Sequence, residues 1–177
     1  MLFTRKGDDG TSGLFGSKER RPKNDPIFEA LGTLDELNSL IGICFAKAES
    51  RSGEPPFSKL LRLVQENLFI IQAELAGADK TLSQSHVDAL EQSIAELEGL
   101  MENPHSFVIA CTTELSAFLD YARATSRRAE RRVIDAIPIR EVSPATRKYL
   151  NRLSSFLYAL ARVEAARSGG KEQKPSY

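Results

Sequence analysis

Apolar positions recur at helical spacing in five successive stretches of this chain, separated by breaks rich in Gly, Pro, Ser and Asn. The first runs from about Pro26 to Ala48. Its apolar face holds Ile27, Leu31, Leu34, Ile41 and Phe45, with Asn38 as a polar interruption. Asp25 stands as N-cap, and Pro26 takes the first helical position, where its missing N–H costs nothing. The second, from Phe57 to Ala76, turns Leu60, Val64, Leu68, Ile71 and Leu75 inward and stops at Gly77. The third is predicted to start at Ser85-His86-Val87-Asp88, read as a capping box, and carries Val87, Leu90, Ile94, Leu97 and Met101. Asn103-Pro104 breaks the chain, and Phe107-Val108-Ile109 reads as a short extended piece. The fourth helix runs from about Glu114 to Ile134. The fifth opens at Ser143-Pro144 and buries Leu150, Leu153, Leu157 and Leu160. Helices joined by shortish loops predict an antiparallel all-α bundle, one domain over residues 1–166. Ser168-Gly169-Gly170-Lys171-Glu172-Gln173-Lys174-Pro175 has too little apolar surface to pack, so residues 167–177 are expected to be a disordered tail.

The 177 residues suffice for a core, and Lys+Arg and Asp+Glu number 24 each, so net charge gives no reason to expect nucleic acid or a membrane as partner. No apolar run approaches the ~18 residues of a span, and Met1-Leu2-Phe3-Thr4 leads into charge; cytoplasm is the expected location. Cys44 and Cys111 form no CxxC pair and are expected as reduced thiols. His86 and His105 lack the spacing of a zinc site.

Charge is nevertheless clustered. Before the first helix lies the arm Thr4-Arg5-Lys6-Gly7-Asp8-Asp9-Gly10-Thr11-Ser12-Gly13-Leu14-Phe15-Gly16, with a glycine at every third position. Glycines permit positive φ and leave backbone N–H groups free to converge on an anion. Arg5, Lys6, Lys18, Arg20, Arg21 and Lys23 surround it, and Asp8 and Asp9 offer oxygens to a Mg²⁺ arriving with phosphates. The arm is not a Walker A loop, since no Gly-Lys-Ser/Thr follows. On these residues alone it reads equally as a flexible, solubilising segment.

The second cluster is Arg123-Ala-Thr-Ser-Arg127-Arg128-Ala-Glu130-Arg131-Arg132. At ~100° per residue, Arg123, Arg127 and Arg131 fall within about 80° of one another, with Glu130 on the same side. Leu115, Leu119, Ala122, Ser126, Ala129 and Val133 form a separate stripe, and Arg128 and Arg132 project nearly opposite it. Stacked guanidiniums suit a polyphosphate clamp. A solvated charged face and an RNA-binding stripe are the other readings, the latter weakened by the lack of interleaved aromatics. Asn38, Asn151 and Asp35 are polar residues near core positions and, taken singly, read as structural.

Taken together these blocks resemble the PduO-type cobalamin adenosyltransferases. Thr4–Gly10 looks like the family's ATP loop. Arg21-Pro22-Lys23 with Glu29–Asn38, then Ser126–Arg132, then Leu150-Asn151-Arg152-Leu153-Ser154 follow in the family's order, over Met1 to about Ala166. The resemblance implies a five-helix up-and-down bundle, ferritin-like, with a Gly-rich arm (residues 1–24), assembling as a homotrimer with ATP and corrinoid between subunits. It places Thr4, Arg5, Lys6, Gly7, Ser12, Gly13 and Lys23 around ATP from one subunit, and Arg127, Arg128, Glu130, Arg131 and Asn151 from its neighbour. It makes Asp35 and Arg123 an ion pair across the interface, and Phe107 the aromatic under the corrin ring that excludes the axial base.

The implied reaction is attack of cob(I)alamin on the 5′ carbon of ATP, with triphosphate leaving. Cobalt(I) needs no activating base. The protein positions the carbon and stabilises the growing charge, the task of Arg127, Arg131, Lys23 and Mg²⁺, while a wedge such as Phe107 makes reduction to Co(I) feasible. A reductase and an adenosylcobalamin-dependent enzyme are the implied partners. Two departures fall on the corrinoid side: Ala110-Cys111-Thr112 stands where the family usually has Pro-Gly-Gly, and Asp120 where it often has His. The alternative is a divergent member that binds ATP as a sensor or interaction protein.

Overall fold

The computed structural model describes residues 3–50, 55–101 and 106–176. Five helices follow the arm: α1 (Pro26–Glu49), α2 (Phe57–Ala76), α3 (Gln84–Glu98), α4 (Glu114–Ala136) and α5 (Pro144–Arg167). α1 packs on α2 and α4, and α5 packs on α3 and α4. The expected all-α bundle is what forms. Its core is aliphatic, with Leu34, Ile41, Leu61, Leu68, Leu153 and Leu157 fully buried; each contributes about 1.5–3 kcal/mol by leaving water.

The helix ends follow the cap chemistry. The Asp25 carboxylate accepts the Ile27 N–H at 3.0 Å, and Gly77 closes α2 in the left-handed region at φ 96°. The start of α5 is capped twice. Ser143 Oγ accepts the Thr146 N–H at 3.2 Å. Glu74 of α2 accepts the Ser143 N–H at 2.7 Å and the Thr146 hydroxyl at 2.6 Å, placing a carboxylate at the positive end of α5.

Three features differ from the sequence expectation. The cap of α3 lies two residues earlier: Ser83 is the N-cap, and its N–H donates to His86 Nδ1 at 3.1 Å. An imidazole supplies the acceptor that a Glu or Gln usually provides, which hid the pattern. The arm contains a small antiparallel hairpin, β1 (Thr11–Gly13) with β2 (Arg20–Pro22), with Ser12 opposite Arg21. Finally, the segment after α5 is placed against the bundle. The Ile109 N–H donates to the Gln173 carbonyl at 2.8 Å, and Glu172 lies 3.0 Å from the buried Arg162. The tail is poor in apolar side chains but docks through backbone and charge. The Asn103-Pro104 break and His105 lie outside the described residues.

Candidate active site

Three groups of sequence-predicted residues can now be placed, beginning with the arm. Arg20 lashes it together: its guanidinium donates to Thr11 Oγ1 at 2.7 Å, to the Thr11 carbonyl at 2.9 Å and to the Lys6 carbonyl. The Asp9 carboxylate accepts from Thr11 N–H at 2.9 Å and Thr11 Oγ1 at 2.7 Å, and these bonds hold its pKa below the ordinary carboxylate value. Gly7 lies directly against Lys23: a Cβ added there would stand 3.2 Å from both Lys23 Nζ and the Thr11 carbonyl. Gly7 therefore brings the Lys23 ammonium onto the loop backbone, while Arg5 adopts a left-handed φ of 60°. Thr4, Arg5, Lys6 and Gly13 are exposed and Ser12 and Gly7 half-buried, leaving the loop's polar groups open.

The α4 arginines divide into two sets by their partners. The stripe Leu115, Leu119, Ala122, Ser126, Ala129 and Val133 is buried, and the small residues let neighbouring helices close on it. Arg128 pairs with Glu36 of α1, and Arg132 stands 3.7 Å from Glu29 and 3.1 Å from Asp135. Arg123 Nε lies 3.6 Å from Asp120 Oδ1. Arg127 and Arg131 are exposed and have no carboxylate within 4.0 Å among the described residues. Glu130 accepts from Asn151 Nδ2 at 3.0 Å, tying α4 to α5 at that end. Asp35 is exposed on α1 without a cation partner among the described residues.

The third group lies beside Arg123. Phe107 is 80% exposed at the mouth of an open cavity of about 830 Å³ lined by Val108, Ala110, Asp120, Arg123, Tyr158 and Lys174, among others. A second groove of about 300 Å³, with Arg123, Arg127, Ser154 and Tyr158 in its wall, adjoins it. Arg123 and Tyr158 belong to both. Beneath them lies a pair the sequence reading missed: Arg162 on α5, 3% exposed, bonded to Asp120 on α4, 6% exposed. The signal was Asp120 itself, a carboxylate one residue from the buried Leu119, which needs a buried cation. Among the described residues no three His, Cys, Asp or Glu side chains gather to hold a metal. Asp9 is engaged by Thr11 and Arg20 and Asp8 is exposed, so the two are not gathered into a protein-borne Mg²⁺ site.

The arrangement defines an all-α bundle in which Arg127, without a carboxylate partner among the described residues, lines a groove that adjoins a roomy cavity with an aromatic at its lip. Residues 2–164 match the family described as cobalamin adenosyltransferase. The chain is 37% identical over 170 residues to the corrinoid adenosyltransferase PduO of Salmonella typhimurium, covering 92% of this chain and 49% of that protein. It is 37% identical over 175 residues to the corrinoid adenosyltransferase of Bacillus subtilis, covering 95% and 88%. Against the human corrinoid adenosyltransferase MMAB it is 33% identical over 182 residues, covering 97% and 72%. The chain spans about half the length of the PduO relatives it matches in Salmonella typhimurium and Citrobacter freundii. A variant PduO-type ATP:corrinoid adenosyltransferase from Lactobacillus reuteri, complexed with cobalamin and ATP, superposes with a TM-score of 0.90 at 26% identity, covering 100% of both chains. Another variant from that organism, complexed with ATP, gives 0.88 at 26% identity, covering 98% and 99%. The chain belongs to the cobalamin adenosyltransferase family.

Proposed function

We propose that this chain transfers the 5′-deoxyadenosyl group of ATP to the cobalt of a reduced corrinoid, giving adenosylcobalamin and triphosphate. The observation that carries the reading is the division of the α4 arginines. Arg128 and Arg132 are each paired to carboxylates, whereas Arg127 and Arg131 have no carboxylate within 4.0 Å among the described residues, and Arg127 lines the groove that adjoins the Phe107 cavity. A run of exposed charge kept only for solubility has no need of that division.

In the reaction, cobalt(I) attacks the 5′ carbon of ATP, the carbon–oxygen bond breaks, and the electron pair leaves with the triphosphate. Arg127 and Arg131 are the catalytic cations that face this growing charge. Lys23, with Thr4, Arg5, Lys6, Gly7, Ser12 and Gly13, cradles the nucleotide from the arm, and a Mg²⁺ arriving with the nucleotide would add positive charge to its phosphates. Phe107 lies under the macrocycle and excludes the axial base. Glu130 and Asn151, already bonded to each other, orient the nucleotide, and Arg128, held by Glu36, borders it without serving as a clamp cation.

Among the described residues, no hydrogen bond or ion pair joins the arm to Arg127 or Arg131 within one protomer. That supports a complete site formed between subunits of a homotrimer, with Asp35 meeting a neighbour's Arg123. No described helix is long and apolar enough to cross a membrane, and we place the enzyme in the cytoplasm, supplied by a reductase and serving an adenosylcobalamin-dependent enzyme.

Anaerobic incubation with chemically reduced corrinoid and ATP tests the reading: adenosylcobalamin and triphosphate should accumulate in equal amounts. ATP binding by calorimetry, with no spectral change in added cob(II)alamin, would instead favour the sensor alternative.

A further inference from the structure

Thr112 and Asp120 are remote in sequence, yet Thr112 meets the segment after α5 directly and Asp120 reaches it through Arg162. Gly170 sits on Thr112 so closely that a Cβ there would stand 2.1 Å from Thr112 Cγ2. One residue from Glu172, the Gln173 carbonyl takes the Ile109 N–H at 2.8 Å. Glu172 in turn lies 3.0 Å from Arg162 Nε, and the Arg162 Nη2 bonds Asp120. The Arg162 guanidinium also lies 5.0 Å from the ring centre of Tyr158, which with Lys174 and Pro175 lines the large cavity. The charges facing Arg162 are therefore Asp120 from α4 and Glu172 from the terminal segment, with Arg123 of α4 on the far side of Asp120.

Taking such charges out of water is costly, and an apolar contact of the same volume would stabilise the fold as well. What an ion pair adds is geometry: Glu172 is accepted in one place, set by a guanidinium that Asp120 holds from below. We propose that Arg162 is a positioning residue, clasping the Gly170–Pro175 segment through Glu172 so that it forms a fixed wall of the corrinoid cavity. This rests on the adenosyltransferase reading for the identity of the ligand. Thr112 and Asp120 are then matched parts of one clasp. Thr112 supplies the surface that glycine at 170 fits, and Asp120 the charge that orients Arg162.

The test uses the full-length protein with two substitutions that leave Arg162 and Asp120 in place. Glu172→Gln removes the charge that is clasped, and Gly170→Ala wedges the segment off Thr112. Amide hydrogen exchange at Ile109 reads the clasp directly, and steady-state kinetics with corrinoid and ATP varied separately read its consequence. We expect Ile109 exchange to accelerate about tenfold in either variant, the order of losing one net contact that holds the segment. The KM for corrinoid should rise by a similar factor, while the KM for ATP and the melting temperature stay near the unsubstituted protein. Unchanged Ile109 exchange in both variants would overturn the proposal. So would equal rises in both KM values, which would mark the segment as general scaffold. If the unsubstituted protein forms no adenosylcobalamin, the proposed function fails, and Ile109 exchange still decides whether the clasp exists.

Discussion

Replacing Arg127 with alanine separates a triphosphate clamp from a merely solvated face. Arg127 has no carboxylate partner among the described residues, so its full charge is available to a ligand. A unit charge about 4 Å from a developing negative charge is worth about 4 kcal/mol at the effective dielectric of a protein surface. Each 1.36 kcal/mol is tenfold in rate, which sets an upper limit of about 10³-fold. Arg127 is exposed in the protomer, so water screening brings the expected loss in kcat toward about 10²-fold, rising toward 10³ where a neighbouring subunit covers the site. Arg132→Ala is the matched control. Its charge is already answered by Glu29 and Asp135, and losing such surface pairs alters stability by about 1 kcal/mol or less and should leave turnover within about twofold. The assay is anaerobic formation of adenosylcobalamin followed by absorbance, with circular dichroism to confirm that both variants fold. A loss of less than tenfold in Arg127→Ala, or an equal loss in Arg132→Ala, would refute the division of the α4 arginines into clamp and scaffold.

Further outcomes follow from other parts of the structure. Phe107→Ala, at a site 80% exposed, should leave the melting temperature unchanged and the KM for ATP intact, while bound cob(II)alamin loses the four-coordinate spectral signature; equal loss of ATP affinity would count against the wedge. Asp120→Asn leaves Arg162 with Glu172 alone. It should cost about 2–3 kcal/mol, at the low side of a broken buried pair, and lower the melting temperature by about 4–12 °C in a calorimetric scan. A thiol reagent should label one cysteine in the native protein and two after unfolding, because Cys111 is exposed while Cys44 is buried and its pKa is pushed up to about 12. Cys44 and Tyr149 also set an alkaline limit. Burial raises both from ordinary values of 9.0 and 10.0 to about 12, so the unfolded chain ionises first, and stability present below pH 9 should fall as pH rises toward 12. A melting temperature constant from pH 8 to about 11 would contradict that account.

Much of the bundle was legible because its signals are local. Asp25-Pro26, Gly77 and Ser143-Pro144 mark helix ends through contacts with residues a few positions away, and the structure places α1, α2 and α5 at those marks. The small-residue stripe of α4 was likewise readable from periodicity. What stayed hidden depends on partners distant in sequence. Arg162 and Asp120 are 42 residues apart, and Asp120 beside Leu119 hints at burial without naming its partner. Arg128 and Arg132 read as outward-facing, yet reach Glu36 and Glu29 on a helix more than 90 residues earlier, as the Arg128 pair shows. The tail read as disordered because composition measures apolar area and says nothing of a backbone bridge or of a buried guanidinium awaiting a carboxylate. For the site, the arginine cluster and the glycine arm were visible as charge and spacing. Which arginines remain unpaired was visible only once the helices were packed.

Arg123 stands in the common wall of the large cavity and the smaller groove that holds Arg127. Two occupants of those chambers would touch the same guanidinium, so neither could settle without altering what the other meets. Thermodynamic reciprocity then fixes the relation: whatever factor nucleotide adds to macrocycle affinity, macrocycle returns to nucleotide affinity in equal measure.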